Sequence, residues 1–211
     1  MLVPELTVRD LDRAARQLQT GFGFACADGL WRCGNQAVRL AAGAPGGHGR
    51  IDHLALAVPD LDATLARMLA AGVTLEASVT PDGPALIPEF WGEGLRYVYL
   101  AGPEGARVEL CQRLSGAAPV VGHDHVGIPC RDLAAMAAFL AGQGATPLAA
   151  VDLIRPEGVI PVRFLAFAGG VVELYQPRQA VRAAAGLWSR LLVGGLAGPV
   201  GGPEGLTLAP L

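Results

Sequence analysis

A motif that occurs three times constrains this chain more than any bulk property. Leu6-Thr7-Val8-Arg9-Asp10-Leu11, Leu56-Ala57-Val58-Pro59-Asp60-Leu61 and Ile128-Pro129-Cys130-Arg131-Asp132-Leu133 each pass from a short apolar strand into x-Asp-Leu. An Ala- and Leu-rich stretch follows each, closed by Gly21, Gly72 or Gly144 at 11, 12 and 12 residues from the aspartate. Asp10, Asp60 and Asp132 are natural N-caps, because a short carboxylate accepts the free N–H groups of a first helical turn. Leu61, Leu65, Met68 and Leu69 form one apolar helix face, and Leu133, Met136, Phe139 and Leu140 another. A closing glycine permits the left-handed residue that stops a helix.

Strand-like runs follow each helix. Residues 95–100 and 106–111 flank the turn Ala101-Gly102-Pro103-Glu104-Gly105, and residues 162–168 and 171–176 flank Gly169-Gly170. These read as hairpins. The repeat is therefore a βαβββ unit of about 50–60 residues, too small to close a core alone. The expected fold class is α+β. Units at 50–113 and 123–177 pair into a curled mixed sheet, after an abbreviated βαββ unit at 1–46. Residues 41–49 and 114–122 read as flexible connectors. Residues 178–193 are expected to form a C-terminal helix with Leu187, Trp188, Leu191 and Leu192 as its buried stripe. The Gly- and Pro-rich residues 194–210 are expected to lack regular structure. The N-terminal unit exposes a half-sheet edge, to be covered by that helix or by a second copy in a two-fold homodimer.

Aligned on Asp-Leu, His53 and His125 lie seven residues before Asp60 and Asp132. The final strands also match, Val108-Glu109-Leu110-Cys111-Gln112 against Val172-Glu173-Leu174-Tyr175-Gln176. Alternation turns Leu54, Leu56, Val58, Val108 and Leu110 toward the helix and leaves His53 and Glu109 on the opposite face. The third unit repeats this with Val126, Ile128, Cys130, Val172 and Leu174 against His125 and Glu173. Small neighbours, Ala55, Ala57 and Gly127, leave that face open. A lone His or Glu at a strand end is ordinarily a solvated edge residue. Recurrence of both at equivalent positions argues for a shared site, and the first unit, with Val3 and Arg39 there, lacks it. His53, Glu109, His125 and Glu173 suit one divalent ion such as Zn, Ni, Co, Mn or Fe(II). His123 lies two residues from His125 on the same expected strand face and competes as a ligand.

At these residues the chain resembles the vicinal oxygen chelate superfamily, which includes glyoxalase I, methylmalonyl-CoA epimerase, fosfomycin-resistance proteins and extradiol dioxygenases. The resemblance covers residues 50–177, with an echo in 1–46. Its spacing is 56 residues from His53 to Glu109, 16 to His125 and 48 to Glu173. The His–Glu–His–Glu order looks like glyoxalase I. It implies a metal-dependent lyase, isomerase or epimerase acting on a small oxygenated carbonyl substrate, with Glu109 or Glu173 moving a proton at the metal. Glu109-Leu-Cys-Gln-Arg also resembles the ligand strand of hydroxyphenylpyruvate-type dioxygenases, which use two His and one Glu. A metal-free binding protein of the bleomycin-resistance type is the third reading.

Bulk properties set the remaining limits. A net charge of −3 gives no electrostatic footprint for nucleic acid. All sixteen basic residues are Arg, so no Schiff-base or P-loop lysine exists. No apolar run reaches membrane-spanning length. Cys26, Cys33, Cys111 and Cys130 form no CxxC pair, and a cytoplasmic protein with reduced thiols is expected. Trp91, Tyr97, Tyr99, Arg96 and Arg163 are the candidate substrate-side residues, although core packing is the plainer role for the aromatics. Cys111, on the face of Glu109, is expected to line a cavity wall.

Overall fold

The computed structural model describes residues 1–45, 47–116, 121–156, 158–177 and 185–211. The first unit comprises β1 (Leu2–Val8), α1 (Leu11–Thr20), β2 (Ala25–Ala27), β3 (Leu30–Cys33) and β4 (Gln36–Ala42). It is thus a whole βαβββ unit and not the expected βαββ; its economy lies in the short β2 and β3. The second comprises β5 (His53–Ala57), α2 (Leu61–Ala70), β6 (Thr74–Leu75), β7 (Ala85–Ile87), β8 (Leu95–Ala101) and β9 (Arg107–Arg113). The third comprises β10 (Gly122–Pro129), α3 (Leu133–Gly142), β11 (Thr146–Arg155), β12 (Gly158–Phe167) and β13 (Gly170–Tyr175).

The aspartate caps form as their position requires. Asp10, Asp60 and Asp132 each accept the N–H three residues on, at 2.9 Å. Gly72 and Gly144 adopt the left-handed conformation, with φ of 86° and 94°. Gly21 does not: its φ is −79°, and the left-handed residue is Gly23. Gly21 is needed for space, since a Cβ there would stand 2.7 Å from the Val73 side chain.

The C-terminal expectation is overturned. Residues 178–184 lie outside the described residues, but Trp188–Val193 is a strand, β14, and the tail forms β15 (Val200–Gly201), a 3-10 turn at Pro203–Gly205 and β16 (Thr207–Pro210). This is a fourth unit without a helix. Its strands pair as in the others, where the first strand always lies parallel to the last: β1 with β4, β5 with β9, β10 with β13 and β14 with β16.

First strands also pair antiparallel between units, β5 with β10 and β1 with β14. The result is nested. Units two and three make a nine-stranded sheet, ordered β11-β12-β13-β10-β5-β9-β8-β6 with β7 on β8; units one and four make a seven-stranded sheet, β15-β16-β14-β1-β4-β3-β2. The edge of β1 is therefore closed by β14 of the same chain. One apolar core joins the two sheets, taking Leu6 and Val8, Leu54 and Leu56, Val126 and Ile128, and Leu191 and Leu208 with helix residues Leu18, Met68 and Leu140. Trp188 is fully buried in it and donates its indole N–H to the Arg107 carbonyl at 2.9 Å. No helix among the described residues is long and apolar enough to cross a membrane.

Candidate metal centre

Alternation places the four expected donors as the sequence requires. Ala55 on β5 is paired with Glu109 on β9, and Gly127 on β10 with both His53 and Glu173. Leu54, Leu56, Val108, Leu110, Val126, Ile128, Val172 and Leu174 all face the helices in the common core. His53, Glu109, His125 and Glu173 meet on the other face, each buried. The two imidazole Nε2 atoms stand 3.1 Å apart. Glu109 Oε2 is 3.3 Å from each of them, and Glu173 Oε2 is 3.6 Å from His53 and 3.4 Å from His125. Gly127 makes the packing possible. A Cβ on it would lie 2.0 Å from the His53 ring.

His123 does not join them. The β5–β10 register shifts between His123 and His125, so His123 is opposite Leu56 and His125 is opposite Ala55, with Asp124 as the extra residue. Leu56 and Ala55 face opposite ways, and the bulge therefore turns His123 away from the donors. Its Nε2 accepts the Val171 N–H at 2.8 Å, and its Nδ1 lies 2.5 Å from Gln36 Oε1 in the other sheet. Burial, with the His125 charge nearby, pulls its pKa down to about 4.

Two neighbours that sequence reasoning missed, Asp52 and Asp124, support the imidazoles. Asp52 Oδ2 is 3.1 Å from His53 Nδ1, and Asp124 Oδ1 is 2.8 Å from His125 Nδ1. The Tyr99 hydroxyl stands 3.3 Å from His53 Nδ1. Burial works against a charged imidazole at His53, but Asp52 and Glu109 outweigh it and hold the pKa up at about 9. His125 is likewise raised well above the usual range, burial being overcome by Glu173, Asp124 and Glu109. Glu109 shows the converse: burial opposes its charge, yet His125 and His53 bring its pKa down to about 2. Cys111, Asp124 and His125 also lie close together. Burial and the Glu109 charge push the Cys111 thiol well up, so it stands there as S–H.

The donors floor a cavity of about 330 Å³ walled by Ile87, Phe90, Leu95, Tyr97, Leu153, Ile160, Val162 and Tyr175 among others. Tyr97 and Tyr99 line it. Trp91 packs at a 47° tilt against Phe164, with ring centroids 4.7 Å apart, and lies under Arg113. Cys111 is not in that lining; it lines a neighbouring pocket of about 260 Å³ with Ala57, Arg113, His123 and Asp124. Arg96 and Arg163 are absent from the lining: they pair with Asp62 at 2.8 Å and Asp152 at 2.9 Å. A larger groove of about 670 Å³ runs past Arg9, Asp10, Arg13 and Glu104, but there Asp10 and Glu104 are engaged with backbone N–H groups.

No protein-family model and no curated protein matches the sequence. Solved structures do match. A glyoxalase I mutant from Zea mays superposes with a TM-score of 0.73 at 17% identity, over 100% of this chain and 92% of that one. Glyoxalase I from the same plant superposes at 0.69 and 20% identity, over 91% and 73%. The chain has the vicinal oxygen chelate fold. A candidate dioxygenase from Bacillus subtilis shares that fold, with a TM-score of 0.59 at 16% identity over 90% of this chain and 68% of that one. The match over the whole of this chain takes in the units at both ends, so all four units belong to the vicinal oxygen chelate architecture.

The seven-stranded sheet repeats the strand geometry of the site, but side chains fill the equivalent place. Matching pairings put Val3, Arg39, Arg190 and Ala209 where His53, Glu109, His125 and Glu173 stand. Val3, Leu192 and Ala209 pack there with Leu30 and Ala37, and Arg190 pairs with Glu5 at 2.8 Å.

Proposed function

We propose that the protein is a metal-dependent vicinal oxygen chelate enzyme of the glyoxalase type, a lyase or isomerase acting on a small oxygenated carbonyl substrate. The convergence of two imidazole Nε2 atoms and two carboxylates on an apolar hollow carries this reading. Donors sharing an ion at about 2.0–2.2 Å stand roughly 3.0–3.5 Å from one another; the imidazoles lie 3.1 Å from each other and 3.3 to 3.6 Å from the two carboxylates, with His53, Glu109 and His125 the tightest group. Glu109 Oε2 is buried with no hydrogen bond of ordinary geometry. An atom so placed needs a positive partner, which the protonated imidazoles 3.3 Å away give in the free protein and a metal ion gives once they are neutral. The donor set therefore fits a borderline divalent ion, Zn, Ni, Co, Mn or Fe(II).

Such an ion supplies Lewis acidity, which polarises a bound carbonyl and makes a neighbouring C–H more acidic. The chain supplies the rest. The walls exclude water and hold the apolar part of a small molecule, for which about 330 Å³ is adequate. A carboxylate is the proton carrier. Both carboxylates line the cavity, but Glu109 Oε2 is 3.3 Å from each imidazole, whereas Glu173 Oε2 is 3.6 and 3.4 Å away and is the more exposed, at 7% against 4%. Glu173 is accordingly the base, taking the proton from carbon and returning it to another position or face. Glu109 serves as the fixed donor.

Iron-dependent dioxygenase chemistry needs open positions for substrate and dioxygen, and a fourth protein ligand, the second carboxylate, opposes it. Elemental analysis of the purified protein tests the first step, with one divalent ion per chain expected. Glu173→Gln should abolish lyase or isomerase turnover of a small oxygenated carbonyl substrate while the melting curve stays cooperative. Full turnover in that variant, or oxygen uptake on catechols by the Fe(II)-loaded protein, would refute the assignment.

A further inference from the structure

Each imidazole is backed by a carboxylate, and each carboxylate by a guanidinium. Arg107 Nη1 binds Asp52 Oδ1 at 2.7 Å, leaving Oδ2 for His53 Nδ1 at 3.1 Å. Arg113 binds Asp124 Oδ2 through Nε at 3.2 Å and Nη2 at 3.1 Å, leaving Oδ1 for His125 Nδ1 at 2.8 Å. The two arginines are the first and last residues of β9, the strand that carries Glu109.

Regular strand geometry forbids this arrangement, because adjacent side chains face opposite sides. The chain escapes the rule twice. Asp52 precedes β5, before the pleat begins, and Asp124 is the inserted residue of the β10 bulge. Both aspartates are buried, at 4% and 2% exposure, a position that disfavours a carboxylate unless it is paired.

We propose that Asp52 and Asp124 are positioning residues that fix the tautomer of the two histidines, each held in place by its arginine. A carboxylate only accepts, so the hydrogen must sit on Nδ1. In the neutral ring the Nε2 lone pair is then free and aimed into the hollow, the form a metal ligand needs. The inference rests on the metal-centre reading for its purpose, but its geometry stands apart from it.

The test uses the full-length protein. Zn(II) affinity is measured by chelator competition, the Co(II) visible spectrum reports ligand geometry, and long-range proton–nitrogen NMR of the histidines in the Zn-loaded protein reads the tautomer directly. Asp52→Ala and Asp124→Ala should each weaken Zn(II) binding by about 10- to 100-fold and shift the Co(II) bands, with Asp124→Glu recovering part of the loss. Should Asp124→Ala fail to fold, Arg113→Gln carries the same test, since that side chain is 32% exposed. Wild-type affinity and spectrum in Asp52→Ala, Asp124→Ala and Arg113→Gln, or a proton on Nε2 of either histidine, would overturn the proposal. If the wild-type protein binds none of the ions, the metal-centre reading fails by itself. The tautomers of the metal-free protein at alkaline pH then decide: Nδ1–H on both rings supports positioning, and Nε2–H on either overturns it.

Discussion

Gly127 is the residue on which the donor cluster most depends without supplying an atom to it. Its missing side chain is the space in which the His53 ring lies. Gly127→Ala should displace that ring, weaken Zn(II) binding by at least about tenfold, and leave cooperative unfolding intact; equal affinity by chelator competition would contradict this. Proton competition gives a second expectation. His53 is held up at about 9 in the metal-free protein, because Asp52 and Glu109 overcome burial. The ion must displace that proton, so apparent affinity should weaken as pH falls below about 9, by up to about tenfold per unit for each proton lost. Proton release on Zn(II) addition at neutral pH checks the sign. The four donors were legible because the repeat duplicates them in register. Asp52 and Asp124 were not, although Asp-His also recurs, at 52–53 and 124–125. Strand alternation turns the residue beside a ligand away from it, and only a bulge and a strand end reverse that.

Two elements show what periodicity cannot carry. Leu187, Trp188, Leu191 and Leu192 fit a helical stripe, yet all four are buried in or beside a strand whose second half, residues 191–193, is covered on both faces. A strand of that kind reads as an apolar run with no period of two. The signal for the fourth unit was Gly102-Pro103-Glu104-Gly105 repeated as Gly202-Pro203-Glu204-Gly205. Each turn sets its glutamate at positive φ, 53° and 54°. Glu104 then accepts the Arg9 and Asp10 N–H groups, and Glu204 those of Arg131 and Asp132. The turns thus bind unit two to the start of α1 and unit four to the start of α3. Glu104→Ala or Glu204→Ala should cost about 1–3 kcal/mol, read as a lowered urea midpoint. His123 crosses between sheets as well. Its pKa falls from 6.5 to about 4, so the unfolded chain binds the extra proton between those values. The stability His123 gives is whole above pH 6.5 and is lost as pH falls toward 4. His123→Gln should flatten the urea midpoint across that window. Glu109 acts lower, its contribution vanishing as pH drops from 4.5 to about 2.

At the scale of the molecule, the ends of the chain complete a sheet that holds none of the four donors. Removing residues 186–211 would leave β1 without β14 and Arg131 and Asp132 without Glu204, and would empty the space of Trp188. Loss of that indole alone is expected to cost about 3–5 kcal/mol, a large part of an ordinary domain's stability. Trp188→Ala should therefore lower the melting temperature by several degrees at least, and the truncated chain should be recovered mainly as aggregate. A soluble, cooperatively melting truncation would show that the nine-stranded sheet stands alone. The equivalent place filled by Val3, Leu192 and Ala209 beside the Glu5–Arg190 pair gives the experimenter an internal control. Substitutions there perturb a site built on the same strand geometry but without a donor. They should move the melting point and leave ion loading alone, which separates harm to the scaffold from harm to the chemistry within one polypeptide.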